Sequence, residues 1–364
     1  FRNDFRERLF MKPIFKPQTE WLPPESFPDL SKYDEIAIDL ETKDPELKTM
    51  GSGSVTGKGN IVGIAVAVHN WKGYYPIAHE GGGNMDKSMV LKWFQDVLNT
   101  EATKIFHNAM YDVCFIKATG LNISGEIVDT MIAGSLVDEN RFRYDLGSMG
   151  RDYLGIGKNE AVLKETADLW GVDAKSEMYK LPAMYVGEYA EQDAELTLKL
   201  WQEMKKQMYH EDVEDIFKLE TELFPCLVDM RFLGVRVDTE AAYELKQQLL
   251  TEEKECLHKV KKETSIDVQI WAARSIEKVF QKLNLPYDLT AKTRSPSFTK
   301  NFLQNHPHPM VKLIARAREI NKSHTTFIDT ILKHQHKGRI HAEINQIRSD
   351  QGGTVTGRFS YNNP

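Results

Sequence analysis

The chain has 364 residues, of which 41% are hydrophobic and 27% are charged, a composition typical of a globular protein with room for two or three domains. No run of 18 or more apolar residues occurs, so we expect neither a membrane-spanning helix nor a membrane partner. Three widely separated cysteines argue against a disulfide framework or a zinc site and indicate a reducing compartment, the cytoplasm.

The net charge of −6 is unevenly distributed. Residues 291–364 contain 12 Lys and Arg against 4 Asp and Glu, a local charge of +8, so the other 290 residues carry −14. This distribution suits a protein that holds phosphates with one part and gathers cations with another. A solvated charged surface explains this distribution equally well, so charge alone does not indicate phosphate or cation binding.

Residues 1–210 predict a mixed α/β fold after an irregular, proline-rich lead-in over residues 1–30. Residues 35–41 alternate at period two, with Ile36, Ile38 and Leu40 on one face, which predicts a strand. Further strands are predicted at 61–68, 73–78, 104–106 and near 127, and helices at 86–98, from 109, after Asp129 and at 186–209. Strands that alternate with helices in this way indicate a mixed sheet.

The remainder is predicted to be mainly helical. Helical spacing covers 212–232, 238–262, 275–283 and 310–333, and a weak alternation over 339–347 predicts a strand.

Five candidate catalytic residues fall on three of these elements. Asp39 and Glu41 project from one face of the first strand, Asp112 lies one turn into a helix, and Tyr189 and Asp193 are four apart on a later helix. Each group alone has an ordinary explanation, such as an acidic first helical turn or a solvated Asp. We interpret Asp129 first as a helix cap.

Taken together, these residues resemble the DEDD exonuclease superfamily in its tyrosine branch, as in the proofreading domain of DNA polymerase I. The resemblance implies an RNase H-like exonuclease domain over residues 31–210 that removes 3′-terminal nucleotides from DNA. It also implies two divalent cations, Mg²⁺ or Mn²⁺, with Asp39, Glu41, Asp112 and Asp193 as their ligands. Glu41 and Tyr189 would orient the attacking water, and Asn108 would contact the DNA.

The C-terminal part resembles family A DNA polymerases, phage enzymes included. Residues 219–238 resemble the opening of their polymerase domain, residues 292–299 their thumb tip without its usual glycine, and residues 354–364 their TGR-x-S-x-x-N-P signature. The resemblance implies a thumb and the start of a palm over residues 211–364. The palm carboxylates of this family follow that signature, so we do not expect the chain as printed to polymerise.

The same resemblance implies binding to single-stranded 3′ ends and to primer–template duplex DNA. Arg358 would reach the minor groove near the primer terminus. Six residues are expected on backbone phosphates: Lys292, Arg294, Lys300, Arg316, Arg318 and Lys322. The sequence does not indicate whether a processivity factor binds. Two alternatives stay open, a stand-alone 3′→5′ exonuclease and a non-catalytic nucleic-acid-binding module.

Overall fold

The computed structural model describes residues 18–350 and 352–362, which divide into two compact units. The first unit holds the described residues up to Gly234 together with those from His341 onward, and the second holds residues 235–340. No helix among the described residues is long and apolar enough to cross a membrane.

A five-stranded sheet organises the first unit. Its strands are β1 (Glu35–Lys43), β2 (Asn60–Val68), β3 (Trp71–Pro76), β4 (Thr103–Phe106) and β5 (Ile127–Asp129). Their order is β3-β2-β1-β4-β5, with β1, β2 and β3 antiparallel and β1, β4 and β5 parallel. The predicted alternation on β1 is confirmed, since Ile36, Ile38 and Leu40 enter one core and Ala37 the other. This is the mixed α/β sheet that the sequence predicts.

Helices cover both faces of this sheet. The helices of the first unit are α1 (Leu47–Met50), which buries no side chain, α2 (Lys87–Leu98), α3 (Ala109–Ala118), α4 (Thr130–Val137), α5 (Leu146–Leu154), α6 (Ala161–Trp170), α7 (Gly187–Glu211) and α8 (Glu214–Leu233). The longest, α7, buries Ala190, Ala194 and Leu200 in the core that it shares with Ala37 of β1, and its small residues allow this close approach. No helix is predicted from the sequence in the segment where α5 and α6 lie.

The second unit is mainly helical, as predicted. Its elements are β6 (Val235–Arg236), α9 (Thr239–Thr264), α10 (Ala273–Lys282), β7 (Asp288–Leu289), β8 (Pro296–Ser297), α11 (Lys300–Asn305), α12 (Pro309–Lys322), α13 (Asp329–His334), β9 (Gln335–His336) and β10 (Arg339–Ile340). Helices α9 and α12 pack together around a core that includes Val260, Phe280 and Ile314.

Two predicted elements differ from the structure. The helix predicted at 310–333 contains a π-helical stretch, Ser323–Ile328, between α12 and α13. There the Ser323 hydroxyl donates to the Glu319 carbonyl oxygen at 2.8 Å, and such side-chain bonds compete with the regular ladder. The strand predicted at 339–347 is two strands, because β10 pairs with β6 and β9, whereas β11 (Glu343–Asn345) pairs with β12 (Ser360–Asn362).

Candidate active site

Asp39 and Glu41 lie in the middle of the central strand β1, opposite Ala65 and Gly63 of β2. These small partners allow other side chains to pack close to the two carboxylates. A Cβ placed on Gly63 would lie 2.0 Å from the Tyr74 hydroxyl oxygen, so the Tyr74 ring lies directly over this glycine. Tyr74 is fully buried, and its hydroxyl is 2.6 Å from Nε2 of His79. The strand therefore presents both carboxylates on a rigid, close-packed surface.

Asp112 reaches the same region from the first turn of α3. Its Oδ1 accepts a hydrogen bond from the backbone N–H of Leu40, the residue between Asp39 and Glu41, at 3.0 Å. The start of α3 is held by Asp129, which accepts from the backbone N–H groups of Asn108 at 2.9 Å and Ala109 at 2.7 Å. Because Asp129 also caps α4, the cap interpretation is confirmed.

Helix α7 supplies Tyr189 and Asp193 on successive turns. Asp193 is buried, and its Oδ2 is 2.5 Å from Nζ of Lys158. The same ammonium group donates to the Tyr189 hydroxyl oxygen at 3.2 Å. The other carboxylate oxygen of Asp193, Oδ1, is buried without a hydrogen-bond partner. It is an acceptor still open to a ligand.

Burial raises the pKa of all four acidic groups, and repulsion within the cluster adds to this at Asp39, Glu41 and Asp112. Burial, with the charge of Asp193, raises the pKa of Asp39 to about 7. Burial and then the charge of Asp39 raise the pKa of Glu41 and of Asp112 well above their usual values. Burial raises the pKa of Asp193 as well, although Lys158 opposes this. Carboxylates close enough to perturb one another in this way form one electrostatic cluster.

The donor set of this cluster fits a hard divalent cation, since it consists of carboxylate oxygens with one buried oxygen lacking a partner. Within residues 18–350 and 352–362, however, no three His, Cys, Asp or Glu side chains are arranged as a ready-made metal site. The ammonium group of Lys158 lies beside Asp193 instead. The fold thus places the predicted acidic residues within electrostatic range of one another, with the ammonium group of Lys158 as the cation paired with Asp193.

Comparison with known proteins identifies the family of this chain. A family model described as 3′–5′ exonuclease matches residues 16–209, and one described as DNA polymerase family A matches residues 239–364. The chain belongs to the family A DNA polymerases. The resemblance stated from the sequence is therefore confirmed.

Phage and bacterial DNA polymerases are among the relatives of this family A chain. It is 30% identical to a DNA-directed DNA polymerase of Pseudomonas phage M6, over 95% of this chain and 54% of the relative. It is 28% identical to DNA polymerase DpoZ of Acinetobacter phage SH-Ab 15497, over 93% of this chain and 56% of the relative. It is 26% identical to DNA polymerase I of Chloroflexus aurantiacus, over 84% of this chain and 33% of the relative. The chain thus spans about half the length of these phage relatives.

A solved structure supports the fold. The POL domain of Pol1 from M. smegmatis, in complex with DNA primer-template and dNTP, superimposes with a TM-score of 0.67 at 16% identity. The match covers 92% of this chain and 52% of that one.

The DNA-binding residues predicted for this family A chain have different surroundings. Asn108 is the N-cap residue of α3 in a left-handed conformation, and its side chain makes no capping hydrogen bond. In the second unit Arg316 pairs with Glu252 at 2.8 Å, and Arg318 donates to the carbonyl oxygens of Ile270 and Phe298. The other predicted DNA contacts are exposed: Lys292, Arg294, Lys300, Lys322 and, in the first unit, Arg358.

Sequence reasoning missed Lys158 and His107. Lys158 lies in the loop between α5 and α6, where no periodicity marked it. His107 directly precedes Asn108, a predicted DNA contact, and no role is predicted for His107 itself. Its Nδ1 is 2.8 Å from the Thr130 hydroxyl, its Nε2 is buried without a partner, and burial lowers the pKa of His107 to about 4. His107 is therefore neutral at physiological pH and adds no positive charge to the site.

Proposed function

We propose that the first unit is a 3′→5′ exonuclease that hydrolyses nucleotides from the 3′ ends of DNA, and that it proofreads for the polymerase of which it is part. One observation carries the proposal: Asp112 of α3 accepts a hydrogen bond from the backbone N–H of Leu40, between Asp39 and Glu41 of β1, and the ammonium group that binds Asp193 of α7 also acts on both β1 carboxylates. Such a concentration of buried acidic groups is costly to fold unless a cation compensates it, and it is typical of a functional site. Membership of the family A polymerases supports this reading.

The chemistry would require two divalent cations, Mg²⁺ or Mn²⁺, held by Asp39, Glu41, Asp112 and Asp193, which would activate water and stabilise the negative charge that develops on phosphate. Tyr189 contributes a neutral hydroxyl, since burial and the charge of Asp193 raise its pKa well above the usual value. A protonated hydroxyl on the cluster can donate a hydrogen bond to a water or to a phosphate oxygen. Glu41, on the neighbouring strand, would help to orient that water.

Access to the cluster favours a frayed end. The four carboxylates are mostly buried, so a paired terminal base would have to leave its duplex before its phosphate could reach them. Unpairing costs least at a mismatch, which gives the reaction selectivity for errors.

A labelled-strand assay tests the proposal. A single-stranded DNA labelled at its 5′ end, incubated with Mg²⁺, is expected to shorten one nucleotide at a time into a ladder. The same strand with a chelator should stay intact. Release of labelled mononucleotide as the first product would show the opposite polarity, and digestion that continues in the chelator would rule out the proposed metal dependence.

Binding of primer–template DNA should be sensitive to salt. We propose that Lys292, Arg294, Lys300 and Lys322 contact phosphates, and four such contacts predict a loss of about a hundredfold in affinity between roughly 50 and 200 mM salt. Replacing Lys292 and Arg294 by alanine should lower the salt slope by about two, one for each phosphate contact. Fluorescence anisotropy of a labelled primer–template measures both quantities. An affinity independent of salt would exclude this role.

Titration of the cluster should also be visible in the stability of the metal-free protein. Since the pKa of Asp39 rises from 3.8 to about 7 on folding, the folded state retains a proton that the unfolded state has lost. The stability that Asp39 contributes is fully present below about pH 3.8 and is lost as the pH rises through about 7. In a chelator, the wild type should therefore lose stability relative to Asp39→Asn between about pH 5 and about pH 8. Thermal melting at both pH values measures this, and a difference that does not change with pH would contradict it.

A further inference from the structure

The structure provides the acidic cluster with a cation of its own, Lys158. Its side chain is 18% exposed and that of its partner Asp193 is 5% exposed, so the ion pair is largely withdrawn from water. The ammonium nitrogen also lies 5.0 Å from the centre of the Tyr189 ring. Lys158 lowers the pKa of Asp39 and Glu41 as well as that of Asp193, so its charge acts on carboxylates from both β1 and α7.

The loop that carries Lys158 is built to hold it there. Gln192, which precedes Asp193 on α7, accepts from the backbone N–H of Asn159 at 2.7 Å and donates to the carbonyl oxygen of Gly157 at 3.3 Å. These two bonds fix the backbone on both sides of Lys158. Its side-chain carbons pass over Gly147 of α5, where a Cβ would lie 3.3 Å from the Lys158 Cδ. Because hydrogen bonds of its own loop hold Lys158 in place, the Lys158–Asp193 ion pair is pre-organised, unlike a typical ion pair between mobile surface side chains.

The ion pair leaves Asp193 only half satisfied. Oδ2 is engaged by Lys158, whereas Oδ1 is buried and has no hydrogen-bond partner. A carboxylate in that condition can accept a second cation, but the ammonium group repels it. A divalent ion that approached the free oxygen of Asp193 would therefore meet the charge of Lys158 on the same carboxylate.

We propose that Lys158 is a resident cation that stabilises the cluster in the absence of metal and competes with a divalent cation for Asp193. The inference rests on the proposed function, because the competing ligand is the metal of the nuclease. It assigns to Lys158 a role in setting metal affinity, separate from any contact with DNA.

Three variants test the inference. Lys158→Met removes the charge and keeps an unbranched side chain, Lys158→Arg keeps the charge, and Lys164→Met is the matched control. Lys164, on α6, pairs with Glu160 at 2.5 Å but is 60% exposed. Two readouts are independent of catalysis: the melting temperature in a chelator and the dissociation constant of Mn²⁺ by titration calorimetry.

For Lys158→Met we expect a lower melting temperature in the chelator and Mn²⁺ binding that is about tenfold tighter, because the competing charge is gone. Lys158→Arg should stay closer to the wild type in both readouts, and Lys164→Met should match it. Mn²⁺ binding by Lys158→Met that is unchanged or weaker would overturn the inference, as would an unchanged melting temperature in the chelator.

Failure of this inference is distinguishable from failure of the proposed function. If the wild type digests DNA with Mg²⁺ while Lys158→Met binds Mn²⁺ no more tightly, only the role of Lys158 is wrong. If Lys158→Met binds Mn²⁺ more tightly but the wild type digests no DNA, the resident cation stands and the nuclease proposal fails.

Discussion

Replacing Asp39 and Glu41 together by alanine is expected to lower the rate of Mg²⁺-dependent release of 3′ nucleotides by at least about a thousandfold, roughly 4 kcal/mol of transition-state stabilisation. The two side chains lie two residues apart on β1 and are the only members of the cluster contributed by the strand. Without them, Asp112 and Asp193 remain on separate helices and cannot enclose a cation. The measurement is the initial rate of shortening of a 5′-labelled single strand.

The double variant should fold at least as well as the wild type in a chelator. Burial and mutual repulsion raise the pKa of both groups, so their removal relieves an unfavourable interaction. Glu35→Ala is the matched control, because Glu35 begins the same strand but pairs with Lys205 away from the cluster. Its rate should stay within about twofold, because Glu35 bonds only Trp201, Gln202 and Lys205 among its described side-chain partners and no carboxylate of the cluster. Undiminished digestion by the double variant would refute the assignment.

Replacing Asp129 by alanine is expected to destabilise the first unit by about 3 kcal/mol or more, the largest stability effect that we predict. Asp129 accepts from three backbone N–H groups, those of Asn108, Ala109 and Met131, at 2.7–2.9 Å. The side chain is buried, so alanine would leave these donors without partners, and each unsatisfied buried donor costs about 1–3 kcal/mol. The free energy of unfolding in urea, at a pH above 7, measures the loss.

Asp129→Asn is the control for that prediction. Burial raises the pKa of Asp129 to about 6, so the wild-type carboxylate is ionised above pH 7. Asparagine keeps one acceptor oxygen and should lose less stability than alanine. Equal losses for the two variants, or a loss below about 1 kcal/mol for Asp129→Ala, would show that these three hydrogen bonds contribute little.

Local sequence patterns were sufficient for the framework of the site. The alternation of Ile36, Ile38 and Leu40 located β1, and the fixed side-chain period of a strand placed Asp39 and Glu41 on one face. The four-residue spacing of Tyr189 and Asp193 located both on one side of α7. No local pattern shows that β1, α3 and α7 pack together, because packing between distant elements is set by the whole core. That part of the prediction came from the family resemblance.

The position of Lys158 in the acidic cluster could not be predicted from local sequence patterns, and the reason is physical. Its position depends on Gln192 of α7 and on the space above Gly147, and neither residue is its neighbour in sequence. The same applies to Gly63, whose importance lies in the Tyr74 ring that covers it. The strand predicted at 339–347 was wrong for a similar reason. Its two halves pair with different strands, and those partners lie outside the predicted segment.

Titration of the chain with Mn²⁺ by calorimetry tests the central claim most directly, since it reports on the carboxylate cluster without requiring DNA or turnover. We predict two binding events per chain in the wild type and their loss in the variant that lacks Asp39 and Glu41. Identical titration curves for the two proteins would show that the cluster holds no divalent cation, and the nuclease proposal would then have no chemical basis.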